Sequence, residues 1–138
     1  MNGVWRMRVL VIDDDIGMTD LLTILLTPAS SEVLTANSAE EGLELLRKER
    51  PDVVILDLML PEQEGWKVCS TIREISDVPL LILSAVDTPG MVAQALDHGA
   101  DDYLTKPISS GTLIARLNKL VRRPTMLKKT NHEPRMIT

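Results

Sequence analysis

The sequence predicts a doubly wound α/β domain, a parallel sheet of five strands with helices on both faces. Three observations lead there. Segments with the pattern of strands alternate with segments whose apolar residues recur at helical spacing. The strand candidates Met7 to Ile12, Val53 to Leu56 and Leu80 to Leu83 are nearly unbroken apolar runs, as expected of strands covered on both sides. Such alternation packs as parallel strands joined by right-handed helical crossovers.

The first strand runs into Asp13-Asp14-Asp15, after which Leu21, Leu22, Leu25 and Leu26 mark a helix that Asp15 is placed to cap. Pro28 breaks this helix, and Glu32 to Ala36 is a short second strand. Ser38 and Glu41 have capping-box spacing and open a helix through Leu43, Leu45 and Leu46 that stops before Pro51. Val53 to Leu56 ends on Asp57, and after a loop containing Pro61 the third helix spans Gly65 to Ile75. Ser84 closes the fourth strand. Thr88 and Pro89 supply an N-cap and a first-turn proline for a helix reaching His98, with Gly99 as its stop. Asp102 to Thr105 is the fifth strand, followed by Lys106-Pro107. Ser109 or Ser110 then caps a last helix whose apolar face is Leu113, Ile114, Leu117, Leu120 and Val121. From Arg122 neither period persists, so residues 1–121 read as one domain and 122–138 as a basic tail or linker.

A length of 138 residues with 44% apolar content suits one hydrophobic core. No apolar run approaches the roughly 20 residues that span a bilayer, and the first eight residues lack a secretory h-region, so a cytosolic protein is expected. Cys69 is the single cysteine, which excludes an internal disulfide and reads as a small buried hydrophobe. Residues 1–121 carry 19 acids and 10 bases against one acid and five bases in 122–138, so the body is near −9 and the tail near +4. An acidic body is a poor surface for nucleic acid, and any DNA must be read by another domain. The basic tail reads as a solvated linker. His98 and His132 have no partner at metal spacing and read as surface residues, and Trp5 and Trp66 are isolated.

In open parallel sheets ligands bind beyond the carboxyl ends of the strands, where strand order reverses. The singular polar residues fall there: Asp13 and Asp14 after the first strand, Asp57 after the third, Ser84 at the fourth, Lys106 after the fifth. With the first and third strands as neighbours, three carboxylates converge in one crevice, and their repulsion calls for a cation. An oxygen-only donor set without the cage of a calcium site suits Mg2+. Lys106 adds positive charge for an incoming phosphoryl group, so the set describes acyl-phosphate formation on a carboxylate nucleophile. Asp14 alone would read as a helix cap. The signal lies in the constellation.

VLVIDDD, DVVILDLMLPEQEGW, VPLLILSA and GADDYLTKP resemble the successive motifs of bacterial two-component response-regulator receivers, over about residues 7 to 122. The resemblance implies a flavodoxin-like sheet of strand order 2-1-3-4-5 and phosphorylation of Asp57 by a sensor histidine kinase or phosphotransfer protein. It implies a metal site of Asp13, Asp14, Asp57 and the Met59 main-chain carbonyl. Ser84 and Lys106 would assist the transfer, with a cis bond from Lys106 to Pro107. It makes Ser84 and Tyr103 the switch, acting on a face of helix 4, strand 5 and helix 5. By residue spacing alone Tyr103 would read as an edge aromatic.

GADDYLTKP and DLMLP resemble most the receivers that precede a winged-helix DNA-binding domain and form homodimers through that same face. Where those have a basic residue in the fourth helix and a glutamate in the fifth, this chain has Val92 and Thr112. Asp101, Asp102 and Arg116 are the charged candidates left for such an interface. The loop after Asp57 reads PEQEGW in place of the common proline-glycine start. Two other readings remain: a phosphatase using a phosphoaspartate, which would want an acid where Met59 stands, and a degenerate receiver serving only as an interaction surface. A nucleotide-binding domain is a weaker reading still, since neither a G-x-G-x-x-G run nor a P-loop is present.

Overall fold

The computed structural model describes residues 6–122. Its strands are β1 (Met7–Ile12), β2 (Ser30–Ala36), β3 (Val53–Leu56), β4 (Leu80–Ser84) and β5 (Asp102–Thr105), all parallel and in the order β2-β1-β3-β4-β5. The helices are α1 (Ile16–Leu26), α2 (Ala39–Glu49), α3 (Gly65–Ile75), α4 (Pro89–Asp97) and α5 (Ser110–Val121). The expected fold and strand order are present. The tail from residue 123 onward, with His132, and Trp5 lie outside the described residues.

The period of two along each strand divides the core. Leu10 and Ile12, Val54 and Leu56, and Leu80 and Ile82 face one side, where they meet Leu46 of α2, Val68, Cys69 and Ile72 of α3 and Ala95 of α4. Val9 and Val11, Val53 and Ile55, and Leu81 and Leu83 face the other, against Leu22 and Leu26 of α1 and Leu113, Leu117 and Leu120 of α5. Every residue of β3 and β4 is therefore buried, which explains their unbroken apolar sequence.

The caps follow the sequence with one exception. Asp15, Ser38 and Ser109 accept from the backbone N–H groups of Met18, Glu41 and Thr112. Thr88 occupies the N-cap of α4 but makes no side-chain cap bond; Pro89, with its fixed φ, starts that helix. One further expectation is corrected. Strand β2 begins at Ser30, because the helix ends in a single tight 3-10 turn, Thr27–Ala29, instead of a longer break. Of the four leucines that mark α1, Leu22 and Leu26 are buried, whereas Leu21, with Ile16 and Ile24, is exposed. A helix lying on one face of a sheet has room for a narrower apolar stripe than α1 carries.

On the α3 side, Arg73 joins three elements. Its guanidinium donates to the carbonyls of Gly99 at 2.9 Å, Val78 at 2.6 Å and Ser76 at 3.3 Å, and pairs with Asp101 at 2.8 Å. Gly99 has φ +119, open to glycine and strained for other residues, and a Cβ there would stand 2.5 Å from Arg73 Cγ. Gly65 begins α3 hard against the loop after β3: a Cβ would lie 2.7 Å from the Leu58 Cα.

Gly65→Ala should therefore lower stability by about 1–3 kcal/mol through overpacking, read as a lower urea midpoint at constant m; an unchanged midpoint would show that the Leu58 loop yields freely. Cys69 is fully buried and burial pushes its thiol up to about 11. A thiol reagent in mildly alkaline buffer should label it only as fast as the chain opens, and rapid labelling of the native protein would contradict the packing of α3.

Candidate functional site

Strand register sets the site. Ile12 of β1 lies level with Ala36 of β2 and with Leu56 of β3, so the residues one step beyond, Asp13, Asn37 and Asp57, stand side by side at the carboxyl edge. The backbone continues the ladder there: Asp13 N–H donates to the Ala36 carbonyl and Asp57 N–H to that of Ile12, each at 3.0 Å. Ser84 ends β4 opposite Thr105, and the Lys106 N–H donates to the Ser84 carbonyl at 2.9 Å. The peptide from Lys106 to Pro107 is cis.

The side chains close into one network. Lys106 Nζ lies 2.8 Å from Asp13 Oδ2 and 2.8 Å from Asp57 Oδ2. Asp57 Oδ1 accepts from Ser84 Oγ at 2.8 Å and from Met59 N–H at 2.9 Å, and Asp13 Oδ1 accepts from Asp15 N–H at 2.9 Å. Asp13 and Asp57 are nearly buried and Ser84 fully so, while the Met59 side chain is exposed beside them.

Burial, the largest influence on each carboxylate, acts upward. For Asp57 it is outweighed by Lys106, the Met59 amide and the Ser84 hydroxyl, and its carboxyl sits below the ordinary carboxylate range. For Asp13 burial prevails over Lys106 and the Asp15 amide, with Asp57 adding to it, and its carboxyl sits above that range. Burial lowers Lys106, but the two carboxylates more than restore it. Asp57 is thus held toward its ionised form against a charged ammonium.

Two of the three expected carboxylates, Asp13 and Asp57, meet at Lys106. Asp14 is exposed, and among the described residues no three acidic, histidine or cysteine side chains gather closely enough to form a metal cage. The donors present still fit a hard divalent cation: two carboxylates share one ammonium, the donors are all oxygen, and Asp14 is the next residue along the loop.

Tyr103 is partly buried, with its hydroxyl donating to the Val86 carbonyl; burial, then the charges of Asp57 and Asp87, hold its hydroxyl above the usual range. The residues offered for an interface have partners within the chain. Asp101 accepts from Arg73 and from Leu80 N–H, and Arg116 Nη1 reaches both oxygens of Asp102, at 3.0 and 2.8 Å. His98 is partly exposed, and Trp66, isolated in sequence, has a neighbour in space: their rings lie 4.7 Å apart, His98 Nδ1 is 2.8 Å from the Gln94 carbonyl, and Lys67 Nζ sits 5.6 Å from the indole centroid. A contact between two helices distant in sequence leaves no local pattern.

Asn37 was missed. Its side-chain amide donates to the Asp13 carbonyl at 2.8 Å and to Thr19 Oγ1 at 3.3 Å. The available signal was positional, since Asn37 follows the second strand as Asp13 and Asp57 follow the first and third.

Comparison with known proteins agrees with this geometry. The family described as "Response regulator receiver domain" matches residues 9–118. The "Probable transcriptional regulator ycf27" of Guillardia theta is 39% identical over 125 residues, covering 91% of this chain and 49% of the relative. The "Transcriptional regulatory protein AfsQ1" of Streptomyces coelicolor is 41% identical over 114 residues, covering 83% of this chain and 51% of the relative. The chain thus spans about half the length of the curated relatives it matches. A two-component response regulator from Clostridium difficile superposes with a TM-score of 0.81 at 26% identity, over 86% of this chain and 98% of that one. Family, relatives and fold point the same way, and this chain belongs to the response-regulator receiver domains.

Proposed function

We propose that this receiver takes a phosphoryl group onto Asp57 from the phosphohistidine of a sensor histidine kinase or phosphotransfer protein, with Mg2+ bound beside it. The carrying observation is the Asp57 carboxylate, held ionised between the Lys106 ammonium and the Ser84 hydroxyl. An Asp57 oxygen attacks phosphorus, the P–N bond to the donor imidazole breaks, and the ring leaves with that electron pair. Lys106 and Ser84, already hydrogen-bonded to the nucleophile, are placed to shift onto the phosphoryl oxygens as charge builds there. Bound by Asp13, Asp14, Asp57 and the Met59 carbonyl, Mg2+ would supply further neutralisation of those oxygens. A catalytic acid two residues after the nucleophile, which a phosphatase would want, is missing because Met59 stands there.

The switch has a short route. Ser84 Oγ accepts from the Val86 N–H at 3.3 Å, while the Val86 carbonyl holds the Tyr103 hydroxyl. A phosphoryl group that draws Ser84 toward itself pulls on Val86 and loosens the tether of Tyr103, which then turns into the space vacated. The helix 4, strand 5, helix 5 face changes with it. In this reading residues 1–121 are the receiver and 122–138 a linker to a separate DNA-binding output domain. The setting is cytosolic, and the altered face governs pairing of two copies. Among the described residues no helix is long and apolar enough to cross a membrane.

Mass spectrometry after incubation with acetyl phosphate should show a Mg2+-dependent gain of one phosphoryl group, about 80 Da, abolished in Asp57→Asn. No gain in a folded protein that binds Mg2+ would favour a purely interacting module. The phosphorylated form should also decay slowly without a partner phosphatase, since Met59 and Val86 offer no polar side chain to orient a water; a half-life of seconds would count against that.

A further inference from the structure

We propose that Asn37 is a positioning residue for the acidic loop, fixing the backbone from which Asp13 and Asp14 meet the cation. The inference rests on the phosphoacceptor reading above and extends it to a residue from the neighbouring strand. Asn37 stands level with Asp13 at the carboxyl edge, one step past the pair formed by Ile12 and Ala36. The main chain of Asp13 is gripped from that side at both its polar groups: its N–H donates to the Ala36 carbonyl at 3.0 Å, and its carbonyl accepts the Asn37 amide at 2.8 Å.

Asn37 is itself held from both directions. Its own N–H donates to Glu41 Oε1 of α2 at 2.9 Å, and its side-chain amide also reaches Thr19 Oγ1 of α1, a buried hydroxyl that donates to the Ile16 carbonyl at 3.0 Å. The loop carrying both acids is thereby pinned between two helices by a bond independent of Lys106 and Asp57. Asp14, whose side chain is exposed, follows directly on the carbonyl that Asn37 holds. Groups that orient ligands from outside the coordination sphere have large effects on affinity, because a loose loop must be ordered again each time the cation binds.

The test is calorimetric titration of the full, unphosphorylated chain with Mg2+, beside urea unfolding of the same samples. Asn37→Ala should weaken the Mg2+ Kd by about tenfold, the lower end of what outer-shell changes produce. Thr23→Ala, which removes a bond within α1 to the Thr19 carbonyl, should leave the Kd unchanged. Asn37→Ser, too short to reach the Asp13 carbonyl, should repeat the loss and covers the case in which the alanine chain does not fold. An Asn37 variant that is less stable yet binds Mg2+ like the parent would reduce Asn37 to a structural residue and overturn the inference alone. A parent chain that binds no Mg2+ would overturn the cation reading and the inference with it.

Discussion

The paired carboxylates at the carboxyl edge depend on one ammonium. Adjacent parallel strands in register bring their terminal residues level, and here both residues are acids. Two carboxylates nearly excluded from water and 2.8 Å from the same point would repel strongly without Lys106 Nζ between them. Removing one member of such a buried pair typically costs about 3–5 kcal/mol, since the other charge is left without compensation. The ammonium comes from the far edge of the sheet, after β5, so its reach across β4 ties the outermost strand to the central ones. One cation for two anions also leaves net negative charge, which a divalent cation would answer.

Much of this was legible in the sequence, and the reasons can be traced to particular residues. Strands buried on both faces are unbroken in sequence, and helices on their flanks show a one-sided period, so β3, β4, α3 and α5 could be bounded almost to the residue. Asp57, Ser84 and Lys106 stood out because each stands at the carboxyl end of a strand. What stayed hidden depends on relations across the chain. The exposure of Asp14 next to a buried Asp13 is set by the path of the folded loop, which residue spacing does not show. The tilted ring contact of Trp66 with His98 and the four bonds of Arg73 join elements that local spacing cannot relate. Asn37 escaped for another reason: an amide beside a capping serine looks like ordinary turn chemistry until the register of β1 and β2 is known.

The two ends of the β4 to β5 unit are held differently, which bears on how a charge at Asp57 could move one face and spare the rest. At the amino end, Arg73 binds carbonyls at Ser76, Val78 and Gly99 as well as Asp101, so the base of α4 and the start of β5 are fixed to α3. At the carboxyl end, the loop between β4 and α4 is held near the site through Val86, by bonds to Ser84 and Tyr103. α4 has Ala95 as its single buried residue and lacks a side-chain cap. A helix with little buried surface, anchored firmly at one end and tethered by two exchangeable bonds at the other, is the element that a local change can shift at least expense in packing.

The same logic constrains any pairing of two copies through that face. Arg116 already reaches both oxygens of Asp102 in its own chain, in a partly exposed setting where such a pair contributes about 0–1 kcal/mol. Turning Arg116 toward a neighbouring copy would exchange one pair for an equivalent one, a nearly neutral trade. Asp101 is bound to Arg73 and to the Leu80 amide, and releasing it would unfasten the base of β5. With Val92 and Thr112 contributing no charge, ion pairs on this face can fix the register of an association but supply little of its affinity. The affinity would have to come from apolar area exposed or reshaped when α4 moves. Assembly would then depend on the phosphorylation state of Asp57, and the unphosphorylated chain would gain little by pairing.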